Sequence, residues 1–191
     1  MRALLQKRPV RRAVGGGSNR ARTLSVRTRP GDRLRALVKA GPLVFPAALG
    51  RGGVTSFKRE GDGATPRAVM AVVGGFRRGA LREPDRCGIA LFRTRADDGW
   101  CDQPAHPAYN RPVRLPFAAS CETLQRSDAL YDFVFVLDWN FRARQRGAGS
   151  AIFLHVARPG YLPTEGCIAL SRRDLKRLMP LLRRGSRIRV C

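Results

Sequence analysis

The apolar residues of this chain come in short runs interrupted by glycine and proline, and this spacing limits the fold more than any other feature. Residues 132–139 (DFVFVLDW) and 150–156 (SAIFLHV) are rich in β-branched and aromatic side chains, as buried strands are. Residues 24–28 alternate in side-chain type, which is typical of a half-buried strand. The sequence therefore predicts a mostly-β fold.

Further short strands are expected between the turns. The segments concerned are 33–39, 43–49, 68–73, 88–93 and 187–190. Pro46 interrupts the second of these segments, and because proline cannot donate to a ladder, an edge position is expected there. Residues 97–110 are predicted to form a loop that contains Trp100 and Tyr109.

Only residues 172–183 have helical spacing. Their apolar stripe consists of four leucines: Leu175, Leu178, Leu181 and Leu182. Ser171 is placed to cap the amino end, with Asp174 as its capping-box partner. Pro180 is expected to kink the helix or weaken its last turns. The chain is thus predicted to have one late helix.

Charge is the unusual part of the composition. Lys and Arg number 37 against 14 Asp and Glu, a formal net charge of +23. Such a field attracts polyanions, among them nucleic acids and anionic envelope polymers. Zinc-finger spacing and an aromatic RNA-binding motif are both absent from the sequence, so nucleic acid is not the expected partner. No run approaches the roughly 18 apolar residues of a transmembrane segment.

The domain organisation predicted is simple. Residues 1–22 are rich in Arg, Gly and Ser and lack acidic residues, which is typical of a flexible tail. Residues 23–191 are expected to form one catalytic domain. The basic amino-terminal residues are not followed by the apolar core of a secretory signal, so no signal peptide is recognised.

The five cysteines contain no C-x-x-C pair, which argues against a structural zinc site. If Cys167 is catalytic, four others remain, and whether they form disulfides stays open: Cys87, Cys101, Cys121 and Cys191.

The segment 150–171 carries the chemistry. A strand delivers His155, a Pro/Gly loop turns the chain, and Gly166-Cys167 leads into a second short apolar run. An adjacent imidazole can accept the thiol proton, and amides near a glycine turn can face a developing oxyanion. Taken separately, a strand His and an apolar Cys are commonly structural; their joint spacing favours a nucleophile and its base.

This segment resembles the signature of the YkuD-type L,D-transpeptidases, which are cell-wall cysteine transpeptidases. The match consists of His155, the run 164–171 (TEGCIALS) and the helix start at 174–175. The ending 185–190 (GSRIRV) and the upstream segment 61–66 (GDGATP) also resemble family motifs. The family carries His in many members where Glu165 stands, and Arg or Asn where Ala169 stands.

The resemblance implies a mostly-β, L,D-transpeptidase-like β-sandwich with one late helix. It implies Cys167 as nucleophile, His155 as general base and the Gly166 and Cys167 amides as oxyanion donors. It implies no metal or organic cofactor. Residues expected to contact substrate are Thr164, Glu165, Trp139, Asn140 and Arg158.

The implied activity is acyl transfer on peptidoglycan stem peptides, in the periplasm or cell envelope, for cell-wall biogenesis and cell shape. Cys167 would form a thioester with release of D-Ala, and an amine would accept the acyl group. Two alternatives stay open: an L,D-carboxypeptidase with water as acceptor, and a non-catalytic basic module that binds polyanions.

Overall fold

The computed structural model describes residues 23–79 and 87–191, so the predicted tail at 1–22 lies outside the described residues. The described residues form fourteen strands, numbered in chain order: β1 Thr23–Arg29, β2 Asp32–Ala40, β3 Leu43–Ala48, β4 Val54–Thr55, β5 Thr65–Pro66, β6 Val69–Arg77, β7 Leu91–Arg93, β8 Asp98–Cys101, β9 Arg111–Arg114, β10 Cys121–Thr123, β11 Phe133–Leu137, β12 Phe153–Val156, β13 Ile168–Leu170 and β14 Arg187–Val190.

The largest sheet closes on itself. Its order is β11-β12-β13-β3-β2-β1-β14-β6-β7, and β6 also pairs with β11. β11 and β14 lie on opposite edges of β6. On the β11 side Asp138 donates to the carbonyl of Ala71, and on the β14 side Val72 donates to the carbonyl of Ser186. Because adjacent residues of a strand point their amides to opposite edges, eight strands form a continuous ring of pairings.

A hydrophobic core fills this ring. Side chains from all eight of its strands contribute, and the large ones include Phe45, Phe133, Phe135, Leu154, Ile168 and Leu170. Helix α1 (Arg172–Leu178) adds Leu175 and Leu178, both fully buried. The mostly-β fold with one late helix, predicted from the pattern of short apolar runs, is confirmed for the described residues.

A second, smaller sheet covers the outer face of β11 and β12. It consists of β8, β9 and β10, with β8 in the centre. Trp100 of β8 packs edge-on against Phe153 of β12, with ring centroids 5.3 Å apart. The cluster between the two sheets also contains Cys167, Tyr131 and Val136. The nucleophile predicted from sequence therefore lies where the two sheets meet.

Two strand predictions need correction. Residues 97–110 contain β8 and are not only a loop. This strand leaves no local signal in the sequence, because its partners β9 and β10 lie further along the chain. The strand that contains Pro46 is not at an edge, since β3 pairs with both β2 and β13. Pairing with β13 begins only at Ala47, so no hydrogen bond to β13 is required from Pro46, which lacks an N–H.

The helix prediction is right at its start and too long at its end. Ser171 accepts the amide of Asp174 at 3.1 Å, and its hydroxyl donates to the Asp174 carboxylate at 2.9 Å. The α-helical turns stop at Leu178, and a 3-10 turn follows that contains Pro180. In the described ranges, no helix is long and apolar enough to cross a membrane.

Candidate active site

Cys167 and His155 come from two neighbouring parallel strands. His155 lies in β12 and pairs with Ala169 of β13, and Cys167 immediately precedes β13. Side chains two residues apart on a strand share a face. Cys167 is therefore on the same face as Ala169 and diagonally next to His155. The side chains of Cys167 and His155 line one cleft of about 210 Å³.

The Cys167 thiol is held by two backbone groups. Its sulfur accepts the amide of Phe153 and the thiol donates to the carbonyl of Ala151, both at 3.3 Å. Only 8% of the residue is exposed. Burial disfavours the thiolate and raises the pKa of Cys167 to about 12, although the Phe153 amide acts in the opposite direction.

The His155 imidazole is also buried. Its Nδ1 lies 2.8 Å from the carbonyl oxygen of Val156, and the carbonyl of Leu130 is a second acceptor close to the ring. Tyr131 packs edge-on against it at 5.3 Å. Burial, together with the nearby Arg126 and Arg158 charges, lowers the pKa of His155 to about 4, although the two backbone carbonyls act in the opposite direction.

These shifts define the resting state of the pair. At neutral pH both groups are uncharged, a thiol beside a neutral imidazole. A neutral imidazole has one N–H, so it donates to one carbonyl and keeps a lone pair on the other nitrogen. That lone pair can accept the thiol proton once substrate displaces the thiol from Ala151.

The backbone before Cys167 is shaped by Gly166 and Thr164. Gly166 has φ +127, and a Cβ there would lie 2.8 Å from the carbonyl oxygen of Ala64. Only glycine fits both restrictions. The Thr164 hydroxyl donates to the carbonyl of Cys167 at 2.7 Å and accepts the Gly166 amide at 3.2 Å. The Gly166 amide is therefore engaged in the resting site; the Cys167 amide as an oxyanion donor stays a prediction.

The segment 61–66 (GDGATP) packs against the turn at Gly166. Asp62 folds the segment by accepting the amides of Arg59 and Ala64 and the ammonium of Lys58. These groups hold the pKa of Asp62 below its usual value, against the effect of burial. Ala64 is thereby placed against Gly166. The segment singled out in the sequence thus lies directly beside the nucleophile.

The walls of the cleft are more acidic than the rest of the protein. Four of the chain's 14 acidic residues line it, beside the guanidinium groups of Arg126 and Arg158: Glu60, Asp102, Glu122 and Glu165. One carboxylate oxygen of Asp102 is buried and has no hydrogen-bond partner among the described residues. The cleft therefore has a local excess of negative charge in a chain of net charge +23.

The family assignment rests on sequence. The family model of YkuD, described as the L,D-transpeptidase catalytic domain, matches residues 26–190. The chain belongs to the YkuD family. Among curated proteins, none matches this chain. The crystal structure of Mycobacterium tuberculosis L,D-transpeptidase 1 is similar over 88% of this chain and 61% of its own, with 13% identity and a TM-score of 0.39. The chain thus spans 61% of the length of that structure.

The YkuD domain brings most of the predicted site residues together. Thr164, Glu165 and Arg158 line the cleft with Cys167 and His155. Glu165 and Arg158 are exposed, and Glu165 forms an ion pair with Arg51 at 2.8 Å.

Trp139 and Asn140 lie elsewhere, outside the set of residues that line this cleft. The Trp139 indole donates to the carbonyl of Ala148, and the Asn140 amide bonds within the same 140–149 loop. Their polar groups therefore stabilise the 140–149 loop through hydrogen bonds.

Three residues of this YkuD site carried no sequence signal. Tyr131 packs on His155, the Arg126 guanidinium lies 5.3 Å from the Tyr131 ring, and Glu122 pairs with Arg126 at 3.1 Å. They reach the cleft from the segment 121–131, which has few periodic apolar residues. Outside the cleft lining, the side-chain oxygen of Asn110 accepts the amide of Ala151 at 3.2 Å.

Proposed function

We propose that this protein is an L,D-transpeptidase that acts on peptidoglycan stem peptides. One observation carries the proposal: in a chain of the YkuD family, Cys167 and His155 line a single cleft from adjacent strands. A thiol and an imidazole on one face are the parts that covalent acyl transfer needs.

The first step is attack on a donor stem peptide. The Cys167 sulfur bonds to the carbonyl carbon at the L-centre of diaminopimelate while His155 accepts the thiol proton. The C–N bond to D-Ala then breaks, and His155 returns the proton to the departing amine. A thioester remains on Cys167. Because both groups are neutral at rest, proton transfer accompanies attack.

The second step transfers the acyl group to an amine. The amine attacks the thioester carbonyl, the C–S bond breaks, and the proton lost by the amine returns to the thiolate through His155. The acidic walls favour this acceptor, since carboxylates such as Asp102 and Glu122 attract an ammonium group. No such argument favours water.

The family and the charge support a setting in the cell envelope. Members of the family act on cell-envelope peptidoglycan, and a net charge of +23 suits attachment to an anionic wall polymer. We therefore place this protein in the periplasm or cell envelope, with a role in cell-wall biogenesis and cell shape.

The test is intact mass spectrometry with a disaccharide-tetrapeptide donor. We expect a covalent adduct that maps to Cys167, followed by cross-linked dimer, and neither product from Cys167→Ala. Cys191→Ser, which removes an exposed thiol, is the control and should behave as the unmodified protein. Tripeptide alone would indicate an L,D-carboxypeptidase. Salt-sensitive polymer binding with no adduct would indicate the non-catalytic module and overturn the proposal.

A further inference from the structure

Cys101 and Cys121 face each other across the small sheet. β8 and β10 are antiparallel, and the register pairs Cys101 directly with Cys121. Both thiols are free, Cys101 fully buried and Cys121 half-buried. The sulfur of Cys121 leans over Gly99, where even an added Cβ would lie 3.6 Å from it. The Val113 and Leu115 side chains lie 3.2 Å from the same point, so the Cys121 sulfur is packed among them.

The backbone hydrogen bonds identify the kind of pair. Asp102 donates to Ser120 at 3.3 Å, and Leu124 donates to Asp98 at 3.0 Å. In an antiparallel ladder such bonds join every second pair, so the cysteines occupy a non-hydrogen-bonded position. Cα atoms there are about 4.5 Å apart. This separation falls within the range of about 4.4–6.8 Å that a disulfide requires.

We propose that Cys101 and Cys121 form a cross-strand disulfide when the protein meets a disulfide oxidant. The oxidant is a small-molecule disulfide such as oxidised glutathione. The Cys121 thiolate attacks it, one glutathione thiolate leaves, and a mixed disulfide forms. The Cys101 thiolate then attacks the Cys121 sulfur and expels the second glutathione. Two protein thiols lose two electrons and two protons, and one glutathione disulfide becomes two glutathione thiols.

The bond would act on the cleft. Asp102 follows Cys101 and Glu122 follows Cys121, and both carboxylates line the cleft that contains Cys167. A disulfide would fasten the two strand ends together and fix the spacing of these carboxylates. Burial raises the pKa of both cysteines, so exchange should be slow at neutral pH and faster in mild alkali.

The experiment oxidises the full chain with glutathione disulfide at several pH values, blocks the remaining thiols and maps tryptic peptides. We expect peptides 96–114 and 115–126 to appear joined, with an intact mass about 2 Da lower for the two hydrogens lost. The joined peptide should disappear on reduction. Its rate of formation should increase with pH.

Matched variants sharpen the result. Cys191→Ser should give the joined peptide at the unmodified rate, and Cys121→Ser should give none. Since the joined peptide is sought in the unmodified chain, a folding defect in Cys121→Ser does not weaken the test. Glutathione on Cys191 with Cys101 and Cys121 both alkylated would overturn the proposal, as would a bond from either to Cys87.

Discussion

The Cys167 thiol donates a hydrogen bond to the carbonyl oxygen of Ala151, 3.3 Å from its sulfur. Ala151 adopts φ +51, a left-handed conformation that is unfavourable for alanine. Its amide is held by the side-chain oxygen of Asn110, which also accepts the Trp100 indole at 3.0 Å. The resting position of the nucleophile therefore depends on a buried amide far away in sequence.

Replacement of Asn110 tests this dependence. Asn110→Ala removes the bonds to Ala151 and Trp100 and one to the carbonyl of Trp139, so we expect a loss of about 2–4 kcal/mol in unfolding free energy. Asn110→Gly loses the same bonds but fits φ +55 without strain, and should be about 1 kcal/mol more stable than the alanine variant. Urea denaturation measures both. Near-native stability in the alanine variant would contradict the assignment.

The reactivity of Cys167 should follow its raised pKa. Because that pKa is about 12, the thiolate fraction rises about tenfold per pH unit across the range from about 7 to 10. Alkylation of Cys167 by iodoacetamide, followed by peptide mapping, should rise in parallel without a plateau. A plateau in the neutral range would instead indicate a thiolate–imidazolium pair at rest.

Protein stability should fall in acid because of His155. Its pKa falls from 6.5 to about 4 on folding, so below pH 6.5 the unfolded chain binds a proton that the folded chain does not. Stability is full above the unfolded pKa and decreases by up to about 3 kcal/mol as the pH falls to the folded value. Urea denaturation between these values measures the slope. His155→Gln should flatten it, and an unchanged slope in that variant would assign the effect elsewhere.

Thr164 offers a test of loop positioning. Its hydroxyl joins the carbonyl of Cys167 to the amide of Gly166, so Thr164→Val should reduce the acylation rate roughly tenfold to a hundredfold while the chain stays folded. Thr164→Ser keeps the hydroxyl and should restore most of the rate. Stopped-flow acylation with a carbapenem measures both. Equal rates in the valine and serine variants would show that the hydroxyl does not position the loop.

Two glycines in one loop form a matched pair. Gly166→Ala combines φ +127 with a contact of 2.8 Å to the carbonyl oxygen of Ala64, so we expect a loss of about 3 kcal/mol or more. Gly160→Ala also has a positive φ, +69, but open space around the added methyl, and should cost about 1 kcal/mol. Thermal unfolding of the two variants measures the difference. Similar losses would show that the contact with Ala64 relaxes freely.

Local signals made the β-rich fold, the late helix and the position of His155 predictable. β11 and β12 are dense in strand-forming side chains, and Ser171 caps its helix within three residues. β8 could not be predicted, because its four residues are stabilised by partners that begin at Arg111 and Cys121.

The candidate site divides in the same way. Cys167 and its neighbours follow from one continuous motif, whereas Tyr131 and Glu122 reach the cleft through packing between the two sheets. Trp139 and Asn140 follow β11, and the sequence pattern could not predict that their side chains hydrogen-bond within the loop after it.

The position of β14 has a consequence for biosynthesis. This strand lies between β1 and β6, parallel to β1, so the ring of strands closes only when residues 187–190 have been made. Until then the nascent chain presents two strand edges without partners. Such edges pair readily with other chains, and contacts this distant in sequence form slowly. The growing polypeptide is therefore expected to rely on chaperones until β14 emerges from the ribosome.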